Sequence, residues 1–129
     1  MKDKLTRILY VEDEQDIQMV ARLALEALGG FTVEISSSGD QALQRLPIFQ
    51  PQMILLDVMM PGMDGPTTLL KLRELPTFTS TPVVFMTAKV QPGEVSEYRK
   101  LGALGVIPKP FDPMTLASQV QAIWDRQDD

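Results

Sequence analysis

The sequence predicts an α/β fold: a three-layer, doubly wound sandwich around a five-stranded parallel sheet. Short apolar runs alternate five times with stretches of helical spacing, the pattern of βα units joined by right-handed crossovers. Three of the runs, Ile8 to Val11, Met53 to Leu56 and Val83 to Met86, are almost continuously apolar, as strands covered on both faces are. Each is short enough for a strand and too short for a helix. The 129 residues suit one hydrophobic core, so a single domain is expected over 1–129.

The elements follow in order. Ile8 to Val11 is the first strand, and the next stretch places Ile17, Val20, Ala21, Ala24 and Leu28 on one helical face before Gly29-Gly30 stops it. Phe31 to Ile35 is the second strand. Ser38 with Gln41 three residues later fits a capping box for a short helix over Ala42, Leu43 and Leu46, which Pro47 and Pro51 are expected to close. After the third strand, Met53 to Leu56, Pro66 suits the first position of a helix carrying Leu69, Leu70 and Arg73. Val83 to Met86 is the fourth strand, and Pro92 opens a fourth helix that stops near Gly102. A weaker fifth run, Val106-Ile107, lies between Gly105 and Pro108. Asp112-Pro113 then opens the fifth helix, with Leu116, Val120 and Ile123 on one side, which ends at Trp124 and an acidic tail.

Composition narrows the chemistry. Seventeen acids against twelve bases leave a net charge of -5, which works against an extended run of phosphate contacts, so nucleic-acid binding by this chain is not expected. The absence of Cys and His removes thiolate catalysis, the commonest metal ligand and the commonest general base. No apolar run approaches the roughly 20 residues of a membrane helix, and the basic start leads only to the short run that Glu12 interrupts. A cytoplasmic location without membrane contact is expected.

In open α/β sheets ligands bind beyond the carboxyl ends of the strands. There the sequence places Glu12 and Asp13 after the first run, Asp57 after the third, Thr87 and Ala88 after the fourth, and Lys109 after the fifth. Acids in the first turn of a helix also complement its dipole, which is the plainer reading of Glu12-Asp13-Glu14. Asp57 does not fit that reading, because Pro61-Gly62 rather than a helix follows it. Three converging carboxylates repel one another and call for a hard cation, and Mg²⁺ matches an all-oxygen ligand supply.

The motifs Ile8-Leu9-Tyr10-Val11-Glu12-Asp13-Glu14, Leu55-Leu56-Asp57-Val58-Met59-Met60-Pro61-Gly62-Met63-Asp64-Gly65, Pro82 through Thr87-Ala88, and Lys109-Pro110-Phe111 resemble the receiver domains of two-component response regulators. The single-domain, chemotaxis-type receivers are the nearest in kind, and the resemblance covers almost the whole chain. It implies the flavodoxin-like (βα)5 receiver fold. It further implies that Asp57 accepts the phosphoryl group, that Glu12, Asp13, Asp57 and the backbone carbonyl of Met59 hold Mg²⁺, that Thr87 is the switch hydroxyl and that Lys109 pairs with the phosphoryl group. A cis Lys109-Pro110 bond is also implied. Glu12 stands where Asp is also frequent, and Val106 stands where many members carry an aromatic residue.

The resemblance implies phosphorelay signalling rather than enzyme turnover. The chain has no histidine of its own, so a sensor histidine kinase or a histidine phosphotransfer protein is the expected donor. A downstream protein is expected on the face formed by the fourth helix, fifth strand and fifth helix. An aspartyl-phosphate phosphatase of haloacid dehalogenase type is the enzyme alternative, but it wants a second Asp where Met59 stands. A nucleotide-binding fold wants a Gly-rich loop after the first strand. A degenerate, unphosphorylated receiver used as a binding module would lack site residues that this chain has. The start at Met1 and the lack of a linker after Trp124 favour a stand-alone receiver over a piece of a longer regulator. Met59 and Lys89, at the rim, offer no group to orient or deprotonate an attacking water, so a long-lived phosphorylated form is expected.

Overall fold

The computed structural model describes residues 3–127. Five strands, β1 (Arg7–Val11), β2 (Thr32–Ser36), β3 (Met53–Asp57), β4 (Val83–Thr87) and β5 (Gly105–Pro108), pair in parallel in the order β2-β1-β3-β4-β5. The helices are α1 (Gln15–Leu23), α2 (Gly39–Phe49), α3 (Gly65–Arg73), α4 (Pro92–Lys100) and α5 (Leu116–Asp125). Among the described residues, no helix is long and apolar enough to cross a membrane.

The burial of each strand follows its place in the sheet. The central β1, β3 and β4 are buried almost throughout, whereas the edge strands β2 and β5 mix buried and exposed positions. That is why the three continuous apolar runs were the three inner strands. Alternate residues split between two cores: Ile8, Tyr10, Leu55, Val84, Met86 and Ile107 meet α1 and α5, while Leu9, Val11, Ile54, Leu56 and Phe85 meet α2 and α3. The structure thus has the expected three layers.

Local boundaries depart from expectation in three places. Pro47 does not close α2; the helix continues to Phe49 and stops at Gln50, which takes a left-handed conformation (φ 56°). Pro47 forfeits the one bond that its missing N–H would make to the preceding turn, and the residues after it remain helical to Phe49. Pro66 is second rather than first in α3, because the Asp64 carboxylate caps the helix by accepting the Thr67 N–H at 2.9 Å. Asp112-Pro113 makes a turn, with the Asp112 carbonyl accepting from Thr115 and Leu116, and α5 proper begins at Leu116. The first helix unwinds to a π-helical turn over Ala24–Leu28, after which Gly30 (φ 71°) reverses the chain as its glycine suggested.

Candidate functional site

The strand ends bring the singled-out side chains to one edge of the sheet. Register places Val11 beside Leu56, Asp57 beside Met86, and Thr87 beside Pro108, so β1, β3, β4 and β5 end level with one another. The ladder extends one residue past β1, where the Glu12 N–H donates to the Ser36 carbonyl at 3.0 Å. One residue past β5, the Lys109 N–H donates to the Thr87 carbonyl at 2.9 Å. The Lys109-Pro110 peptide is cis, as the resemblance implied.

Lys109 is the hub of the site. Its ammonium donates to Glu12 Oε1 at 2.8 Å and to Asp57 Oδ1 at 3.1 Å. Glu12 is fully buried and Asp57 is 4 % exposed, so both carboxylates lie in a medium where an unpaired charge is costly. Asp13, half-buried, completes a triad whose ligand oxygens lie within 4.8 Å of one another. Three carboxylates against one ammonium leave a surplus of negative charge in a small volume. The plainer reading of these acids does not hold for Glu12, whose carboxylate is spent on Lys109 and on the Glu14 N–H at 3.2 Å. Glu14 itself occupies the cap position of α1 without capping it through its side chain.

The electrostatics follow from this burial. Glu12 is pushed above the ordinary carboxylate range by loss of water, an effect that Lys109 and the Glu14 N–H partly offset and that the Asp57 charge reinforces. Asp57 is raised by burial too; Lys109 works against the rise and the Asp13 charge adds to it. Burial disfavours the Lys109 ammonium, but its bonds to Glu12 and Asp57 outweigh that and raise its pKa. The lysine therefore stays charged while the acids compete for it.

Two backbone devices hold the edge in place. Gly65 packs directly behind Asp57: a Cβ there would stand 2.5 Å from the Asp57 carbonyl oxygen and 2.8 Å from the Val58 Cα. Its N–H donates to the Val58 carbonyl at 2.9 Å, folding the loop after β3 back on the strand. Thr87, 3 % exposed, accepts the Lys89 N–H at 3.0 Å through its hydroxyl oxygen. Met59 and Lys89 line an open cleft beside the site together with Met60, Pro61 and Tyr98.

The sequence singled out every acid of the triad, Thr87 and Lys109. It assigned no part to Gly65, whose signal was its place right after a helix-capping aspartate. It also gave no part to Tyr98, which stacks edge-on against Phe85 with ring centroids 5.2 Å apart. That ring reaches the cleft from α4. Tyr10 lies beneath the site with its hydroxyl buried and, among the described residues, without a hydrogen-bond partner. Burial, and then the Glu12 and Asp57 charges, hold that phenol strongly protonated.

The all-oxygen donor set, tightly clustered and partly desolvated, fits a hard divalent cation. The phosphatase reading finds no second aspartate at position 59, where the Met59 side chain is largely exposed.

Known proteins are similar to this chain in sequence and in fold. The family described as the response regulator receiver domain matches residues 8–121. Response regulator Rre1 of Synechocystis is 35% identical over 120 residues, covering 93% of this chain and 52% of its own length. The phosphate regulon transcriptional regulatory protein PhoB of Rhizobium meliloti is 34% identical over 122 residues, covering 95% and 53%. The chain thus spans about half the length of these curated relatives. Among solved structures, the chemotaxis response regulator CheY4 of Vibrio cholerae superposes with a TM-score of 0.85 at 28% identity, over 93% of this chain and 99% of that one. A putative response regulator from Chloroflexus aurantiacus gives 0.84 at 29%, over 95% and 100%. With a converging acid triad, a strand-end lysine and a family match across nearly its whole length, this chain belongs to the response regulator receiver domains, the signalling domains of two-component phosphorelays.

Proposed function

We propose that Asp57 accepts a phosphoryl group from a partner's phosphohistidine, and that the observation carrying this is the contact of Lys109 Nζ with Asp57 Oδ1 at 3.1 Å inside the acid triad. In the transfer, an Asp57 oxygen attacks phosphorus, the phosphorus–nitrogen bond breaks and the donor imidazole leaves. Lys109, already poised between Glu12 and Asp57, pairs with an oxygen of the arriving group. Burial keeps bulk water from the Asp57 oxygens, so positioned charges act at full strength. Glu12, Asp13, Asp57 and the Met59 carbonyl are the groups that would hold Mg²⁺, which supplies positive charge against the phosphoryl oxygens.

The donor histidine must lie outside these 129 residues, which contain none. A sensor histidine kinase or a histidine phosphotransfer protein supplies that chemistry. An apolar recess lined by Ile17, Val20, Pro110 and Phe111 adjoins Lys109, and α1 also carries Met19 and Leu23 as exposed side chains. A donor seated there reaches Asp57. Once formed, the acyl phosphate adds roughly 1.5 to 2 negative charges. The Thr87 hydroxyl then exchanges the Lys89 amide for the phosphoryl oxygens, and the loop into α4 follows. The readout is a protein partner on the α4, β5 and α5 face, with no nucleic acid bound by this domain and a cytoplasmic setting.

Incubation with acetyl phosphate and Mg²⁺ followed by intact-mass measurement tests the assignment. One phosphoryl group is expected on the wild type and none on Asp57→Asn; equal uptake by both would overturn it.

A further inference from the structure

We infer that the Tyr10 hydroxyl is a positioning group for the phosphorylated state: it donates to Glu12 once the Lys109 ammonium has moved from that carboxylate to the phosphoryl group. This rests on the proposed transfer to Asp57 and gives a part to a side chain that the transfer does not otherwise use. Strand alternation sets the neighbours. Ile8 and Tyr10 of β1, Leu55 of β3, Met86 of β4 and Ile107 of β5 share the face of the sheet under α1 and α5. The same alternation carries Glu12, two residues after Tyr10, and Asp57, two after Leu55, onto that face. Tyr10 therefore stands one row beneath the two buried carboxylates, and Tyr10 and Glu12 are both fully buried.

Phenol and carboxylate are in opposite conditions in this structure. Glu12 is supplied twice: Oε1 accepts from Lys109 Nζ at 2.8 Å, and Oε2 accepts from the Glu14 N–H at 3.2 Å. The Tyr10 hydroxyl has no hydrogen-bond partner among the described residues. A buried donor without an acceptor is costly, and a tyrosine hydroxyl in a core usually finds one. Phenylalanine would fill the same space without that cost. The hydroxyl therefore calls for an explanation in another state of the domain.

Phosphorylation changes the supply of donors. Lys109 Nζ serves both carboxylates at once, at 2.8 Å to Glu12 and 3.1 Å to Asp57. When it pairs with the phosphoryl oxygens, Glu12 loses its shortest bond while it stays buried and charged. The Asp57 carboxyl, now an acyl phosphate, no longer carries a charge of its own and becomes the weaker acceptor. A hydroxyl that donates to the remaining carboxylate makes a charge-assisted bond and satisfies both groups together. The bond also orients Glu12, one of the groups that would hold Mg²⁺, as outer hydrogen bonds orient metal-bound carboxylates. No proton is transferred: burial, and then the Glu12 and Asp57 charges, keep the hydrogen on the phenol.

The test uses the full chain with its tyrosines isotopically labelled at the ζ carbon, which gives two NMR signals, assigned with Tyr10→Phe and Tyr98→Phe. A phenol that donates to a carboxylate has its ζ carbon signal moved downfield. Beryllium fluoride with Mg²⁺, a stable stand-in for the phosphoryl group, is expected to move the Tyr10 signal of the wild type in that direction. Lys109→Met removes the ammonium without any phosphoryl group, and in EDTA it is expected to move the signal the same way; Glu12→Ala added to it returns the signal. Tyr10→Phe keeps the ring and is expected to need roughly tenfold more beryllium fluoride for half-saturation, the weight of a hydrogen bond to a charged group. A Tyr10 signal that stays in place in the saturated wild type would overturn the inference. So would a signal that moves in Lys109→Met and is not returned by Glu12→Ala, or equal half-saturation of Tyr10→Phe and the wild type. If Lys109→Met does not fold, the saturated wild type decides. Beryllium fluoride binding that needs Asp57 but leaves Tyr10 silent refutes the positioning role alone. No binding, with a Tyr10 signal that still moves in Lys109→Met, refutes the proposed phosphoacceptor alone.

Discussion

Asp13→Asn removes one of three mutually repelling carboxylates while keeping its shape. Unit charges 4.8 Å apart, the outer bound for this triad, repel by roughly 3.5 kcal/mol at an effective dielectric of about 20. Asp13 is only half-buried, so screening leaves a share on the order of 1–2 kcal/mol. With an unfolding entropy of roughly 2.1 cal/mol/K per residue, 129 residues convert each kcal/mol into about 4 °C. The metal-free variant is therefore expected to melt about 4–8 °C above the wild type at low ionic strength in EDTA. With Mg²⁺ at about 100 times its Kd the wild type gains about 2.7 kcal/mol and overtakes the variant, which has lost a ligand. The pH dependence follows with a definite sign. Glu12 and Asp57 are both raised in the fold, so the folded chain keeps protons that the unfolded chain releases. Their contribution to stability is full below the ordinary carboxylate range and is lost as pH rises through the raised values. Asp13→Asn flattens that loss, because the Asp13 charge is one cause of the Asp57 shift. Circular dichroism melts with EDTA and with Mg²⁺ check all of this; a variant no more stable than the wild type without metal, and equally stabilised by it, would refute the reasoning.

Three further outcomes are expected. Gly65→Ala drives a Cβ into the Asp57 carbonyl, and since the obstacle is backbone it costs about 1–3 kcal/mol and slows phosphate uptake; a melt and an uptake rate equal to wild type would show that the loop moves aside freely. Tyr10→Phe deletes a buried hydroxyl without a partner, a group whose desolvation costs about 1–3 kcal/mol, so the variant is expected to be as stable as the wild type or more so. A clear loss in urea titration would contradict that. Met59→Asn with Lys89→Glu adds polar groups at the mouth of the cleft, and the phosphorylated protein is expected to decay faster in Mg²⁺; unchanged decay would show that these side chains do not govern the approach of water.

How far the sequence foretold this arrangement depends on how local each cause is. The inner strands were legible because burial on both faces leaves an unbroken apolar run, as in Met53 to Leu56. The acids, Thr87 and Lys109 were legible because strand ends in a parallel sheet converge. The end of α2 differs from expectation because Pro47 removes only its own bond to the preceding turn, which the buried Ala42 and Leu46 still hold in place, so the next two residues stay helical. The start of α5 was misjudged because an Asp-Pro pair opens a turn as readily as a helix, and the choice rests on what the Asp112 carbonyl accepts. The Lys109 bridge to Glu12 and the reach of Arg73 to the Gly102 carbonyl join residues far apart in sequence, so no local pattern announces them. The tight fit of Gly65 behind Asp57, where a Cβ would stand 2.5 Å from a backbone oxygen, is set by the tertiary path of the chain, which composition cannot express.

The central claim is that Asp57 carries the phosphoryl group, and direct mapping of the modified residue tests it most sharply. Protein treated with acetyl phosphate is reduced with borohydride, which converts an acyl phosphate to the corresponding alcohol, then digested and sequenced by mass spectrometry. The account predicts the reduced product at position 57 alone, present with Mg²⁺ and absent with EDTA. Reduction at Glu12 or Asp13 instead, or equal labelling of Asp57 without a divalent cation, would contradict it.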